Sequence, residues 1–165
     1  MSNWTIQDQE NSVKAAATCA CFVSWLSGIW LLEQISLFWP ELKGVNTTLL
    51  IALLVTVGWF LRKLSQQPSL LSYGWRMREI CGEFQDEYLR TSFQRATSRA
   101  FYLMTLIAFI GLVTPDVVAK FTDPAVLSNQ LFPLLILLSG NLSFYLQLRG
   151  VLDDSADETS TGAAD

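Results

Sequence analysis

The chain contains no histidine. This removes His-ligated haem, imidazole general-base catalysis and most transition-metal sites. Cysteine is scarce, with Cys19, Cys21 and Cys81 alone. Cys19 and Cys21 lie two apart, so on a helix they face different directions; the spacing suits neither a disulfide framework nor a zinc site. Charged residues make up only 16% of the chain, against about 25% in soluble domains. No glycine-rich phosphate loop and no Gly-x-Ser-x-Gly elbow occurs. The 11 Lys and Arg residues are outnumbered by 15 acids, so nucleic-acid binding has no electrostatic footprint. The net charge of −4 is concentrated late in the chain, in Asp153, Asp154, Asp157, Glu158 and Asp165. These absences leave no catalytic residue, cofactor or metal site to nominate, and the chain reads as non-enzymatic.

What is plentiful is apolar length. The chain is 51% apolar, with a mean hydropathy of +0.33. Four uncharged apolar stretches divide it, at 15–32, 44–61, 100–115 and 124–148. A helix rises ~1.5 Å per residue and the hydrocarbon core is ~30 Å thick, so ~20 residues cross it. Spans are therefore expected at about 15–37, 44–61, 99–118 and 128–148. The fold class is all-α: an integral membrane, antiparallel four-helix bundle, one domain over 1–152. The remainder, 153–165, is Asp, Ser, Thr, Gly and Ala and reads as a disordered acidic tail. The first stretch reads as a retained span rather than a signal peptide, because Asp8 and Glu10 precede it and no small-x-small cleavage site follows.

Cation placement sets the expected orientation. Arg62, Lys63, Arg76, Arg78, Arg90, Arg95 and Arg99 lie between spans two and three, Lys14 precedes span one and Arg149 follows span four. The other two connections hold only Lys43 and Lys120. Both termini and the central segment are thus expected in the cytoplasm, across a bacterial inner membrane. Trp39, Trp59, Phe101 and Tyr102 sit at span ends, as interfacial anchors do.

Inside the bilayer, helices pack through close backbone approach. Span one carries small residues at every fourth position, Ala16, Ala20, Ser24 and Gly28. This stripe fits packing within the bundle or homodimerisation. Asn141, the strongly polar residue near a midplane, is expected to hydrogen-bond a neighbouring helix. Glu33 is the acid nearest to mid-depth and lies toward the outer end of span one.

The central segment carries the most distinctive polar pattern. Met77, Ile80, Phe84, Tyr88 and Phe93 follow helical spacing, opposite Arg78, Glu79, Glu83, Asp86, Glu87, Arg90 and Arg95. An amphipathic helix over about 77–98, running on into span three, is expected, with the apolar residues as a face for a protein partner. Asp86-Glu87, Arg95-Ala96 and Ala100-Phe101, entering the third span, resemble the pattern of small prokaryotic four-span membrane proteins of unknown function. That family usually has a cation directly after the Asp-Glu pair, where this chain has Tyr88. The resemblance implies a four-helix membrane fold and a regulatory association; it implies no catalytic residue.

The expected function is that of an accessory or regulatory membrane protein acting by protein contacts, with the lipid bilayer and a protein partner or second copy around it. The alternative is a small dimeric transporter or channel, for which Glu33 is the candidate carboxylate.

Overall fold

The computed structural model describes residues 5–38, 45–66, 84–113 and 131–161. They form four helices: α1 (Ile6–Phe38), α2 (Val45–Gln66), α3 (Glu87–Val113) and α4 (Phe132–Thr161). No strand occurs among the described residues. Three of the helices, over Gln7–Ser36, Thr47–Gln66 and Phe132–Leu152, are long and apolar enough to cross a membrane.

Local chemistry explains where the helices begin. Thr5 caps α1: its hydroxyl accepts from the Asp8 N–H at 3.2 Å, and the Asp8 carboxylate accepts from the Thr5 N–H at 3.1 Å. This is the reciprocal capping box, with Asp in the place usually held by Glu or Gln. It extends α1 through the polar segment 6–14, ahead of the expected span. Asp86 caps α3, with Oδ1 accepting from the Leu89 N–H at 2.9 Å.

The central helix therefore starts at Glu87, not near residue 77. Phe84, Gln85 and Asp86 are non-helical, and 77–83 lie outside the described residues. From Glu87, α3 passes without a break from its charged first turns into the apolar half, as the sequence predicts. At the other end of the chain, α4 continues to Thr161 where a disordered tail was expected to begin at 153. A formed helix extends without a new nucleation cost, and the next helix breaker is Gly162.

Neighbouring helices run antiparallel. Phe22 of α1 stacks on Phe60 of α2 at 3.9 Å. Gly28 of α1 faces Leu138 of α4, and lower down Val13 and Ala16 pack with Leu148. Between α3 and α4, Gly111 lies against the Phe132 ring and Gly140 against Met104. A Cβ at Gly111 would stand 2.8 Å from Phe132 Cδ1, and one at Gly140 would overlap the Met104 side chain. These two glycines set the close approach of α3 and α4. Among the described residues α1 and α4 are central, α3 flanks α4, and α2 packs chiefly on α1.

The surface is apolar. Leu50, Ile51, Leu54, Val55 and Trp59 are exposed on α2; Phe101, Leu106, Phe109 and Leu112 are exposed on α3. Soluble monomers rarely expose so continuous an apolar face, which is compatible with a membrane setting. The hydroxyls follow the same logic. Ser24, Ser27 and Thr56 each donate to a carbonyl four residues earlier, on Ala20, Val23 and Ala52, at 2.7–2.8 Å. Each hydroxyl thus meets its hydrogen-bonding need on its own helix.

Candidate functional site

The tight core is not mid-bundle but at the end where α1 and α3 begin and α4 finishes. Val13, Ala16 and Ala17 of α1, Leu89, Phe93 and Ala96 of α3, and Leu148 of α4 form it, together with Phe84. Phe93 sits between two rings edge-on, Phe84 at 5.2 Å and Phe144 at 5.4 Å. Such pairs add to the burial of each ring.

This changes the reading of the partner face. Phe84 and Phe93 are each only 3% exposed, because the chain's own α1 and α4 cover them. The helical stripe is amphipathic for an intramolecular reason. Tyr88, at 55% exposure, is the member left open, and Met77 and Ile80 lie outside the described residues.

Gln9 holds the same end together. It is only 1% exposed, and its Oε1 accepts from the Gln85 N–H at 2.8 Å and the Asp86 N–H at 3.1 Å. A side chain of α1 thus satisfies amides that precede the first turn of α3, which helix geometry leaves without an internal partner. The role was legible only from spacing: Gln9, Val13, Ala16 and Ala20 share one helical face.

The small-residue stripe is largely used inside the monomer. Ala16, Ala20 and Ser24 are buried, and Gly28 faces Leu138 of α4 at ordinary contact distance, 3.8 Å from a notional Cβ. Asn141 departs from expectation. Its amide donates to the Leu137 carbonyl of its own helix at 2.9 Å, not to a neighbour. Between α3 and α4, Arg99 donates to Gln147 Oε1 at 3.3 Å.

Two grooves flank α4. One, about 310 Å³, lies between α1 and α4, where Ser24, Trp25, Gly28 and Leu32 face Leu138, Leu142 and Tyr145. Cys21 and Tyr145 both line this groove. The other, about 350 Å³, lies between α3 and α4 and includes Thr97, Phe101, Met104 and Asn141. Glu33 lines neither; it is exposed near the opposite end of α1.

Charge is sorted along the bundle axis. Lys14, Arg62, Lys63, Arg90, Arg95, Arg99 and Arg149 all lie toward the core-bearing end, given the antiparallel order. Glu33 is the one ionised residue described near the other end. Among the described residues no group of acids and cysteines is placed to hold a metal ion.

The chain matches no family model, no curated protein and no solved structure.

Proposed function

We propose that the chain is an integral membrane protein of four spans that works through protein contacts, as an accessory or regulatory subunit. The observation that carries this reading is the state of α2. Among the described residues it packs chiefly on α1, and of its described side chains only Leu49 is buried. A span anchored on one side presents Leu50, Leu54 and Trp59 to whatever adjoins it in the bilayer. With Phe84 and Phe93 committed to the core, this α2 face and exposed Tyr88 are the surfaces for a partner. The cation-rich end is assigned to the cytoplasm by the positive-inside rule, which places both termini there.

The third span, about 99–118, takes in the apolar half of α3, where Phe101, Leu106, Phe109 and Leu112 are exposed; 114–118 lie outside the described residues. The transporter reading is weaker, because Glu33 lines neither of the two grooves described and a carrier carboxylate must be reachable through the protein.

The test is crosslinking in the native membrane, followed by affinity recovery of the tagged full chain. A stoichiometric second protein, lost when Leu50 and Leu54 are both changed to Ala, is the expected result. Recovery of the chain alone, or a partner indifferent to the α2 change, would overturn the reading.

A further inference from the structure

The groove between α1 and α4 is lined mostly by apolar side chains, and beyond one end of it each helix carries a cation. On α1, Ser24, Trp25, Gly28 and Leu32 line it. Lys14 lies seven residues before Cys21, on the same helical face and about 10 Å further toward the core-bearing end. On α4, Leu138, Leu142 and Tyr145 line it, and Arg149 continues that face one turn beyond Tyr145. Cys21 and Tyr145 both line the groove, and each cation lies beyond them on its own helix, past the lining toward the core-bearing end. Both are exposed. Glu10 stands 3.8 Å from Lys14 in an exposed pair, which is weakly held and leaves Lys14 free to engage a second anion. Trp25, 60% exposed, stands at the rim.

We infer that this groove binds an anionic phospholipid, one acyl chain lying along Ser24, Gly28, Leu138 and Leu142 and the phosphate held at its mouth by Lys14 and Arg149. Two features select this occupant. The lining between Trp25 and Leu142 offers hydrocarbon contact, with Ser24 already bonded to its own backbone at 2.7 Å. The cations stand where lipid headgroups begin, at the end of the uncharged stretch of α1, and basic residues there attract anionic headgroups. The site rests on the membrane reading above.

The test uses native mass spectrometry of the full chain released from detergent. It is titrated with phosphatidylglycerol, with phosphatidylcholine of the same acyl chains, and with sodium phosphate. One phosphatidylglycerol is expected to be retained, roughly tenfold in preference to phosphatidylcholine. The change of Lys14 and Arg149 together to Gln should bring the two lipids to parity. Leu142→Trp, which fills the groove from an exposed position, should lower retention of both.

Equal retention of the two lipids by the unaltered chain would overturn the inference, as would a preference indifferent to K14Q/R149Q. Phosphate alone binding as well as the lipid would also overturn it, since the groove would then contribute nothing. Alkaline carbonate extraction separates the two readings. Chain released to the supernatant refutes membrane integration, whereas chain kept in the pellet without lipid preference refutes only the site.

Discussion

Gln9 offers the sharpest test of how the bundle is held at its core-bearing end. Gln9→Met keeps the length and apolar volume of the side chain but removes the acceptor. The amides of Gln85 and Asp86, now 2.8 and 3.1 Å from Gln9 Oε1, would lose their partner in a partly buried setting. Each hydrogen bond contributes ~0.5–1.5 kcal/mol net, so the pair is worth about 1–3 kcal/mol. Met also packs well in irregular cores, so lost burial adds little. The assay is amide hydrogen exchange of the detergent-solubilised chain, read at Gln85 and Asp86 and compared with Ala20 in α1. Exchange at the first two should rise roughly tenfold to a hundredfold, since about 1.4 kcal/mol is a factor of ten. Ala20 should not move. If Gln85 and Asp86 exchange as before, the contact does not anchor the start of α3 and the reasoning fails.

Other outcomes follow from the same packing. Phe93→Ala should cost about 3–5 kcal/mol of stability, because the ring is 3% exposed between two others, while Tyr88→Ala should be near neutral; thermal unfolding in detergent compares them. Gly111→Ala should lower the unfolding temperature, because a rigid Phe132 ring stands 2.8 Å from the new Cβ. Gly140→Ala should also destabilise, and Met104→Ala added to it should restore part of the loss in a double-mutant cycle. Single cysteines replacing Lys14, Lys63 and Arg149, in a background lacking the native thiols, should all label with an impermeant maleimide from the same side of the membrane. Labelling from opposite sides would contradict the antiparallel order.

Much of the architecture could be read without coordinates. Apolar length alone located α1, α2 and α4, because a helix long enough to cross hydrocarbon must be uncharged over ~20 residues, and few other folds demand that. The unbroken passage of α3 from charged turns into an apolar half was also legible, since no Gly or Pro interrupts it until Gly111. The end of α4 was misread from composition: polar residues argue for disorder in isolation, yet here they follow directly on a formed helix.

Tertiary structure alone decided which apolar faces look inward. Phe84 and Phe93 show the difference. An amphipathic stripe states that a face will be covered, not what covers it, and here α1 and α4 do so before any partner can. The small stripe of α1 posed the same ambiguity between α4 and a second copy, which the contact of Gly28 with Leu138 resolves for the monomer. Asn141 bonds its own helix, and Gln9 bonds a distant segment, for a related reason. A hydrogen-bond partner depends on which helix stands within ~3 Å, and that distance is a product of packing, not of the residue's type. Lys14 and Arg149 are 135 positions apart, and only the antiparallel seating of α1 on α4 brings them to the same end of the bundle. Length, charge and hydropathy are additive along a chain and can be summed from letters. Contact between distant segments is not additive, and it had to be seen.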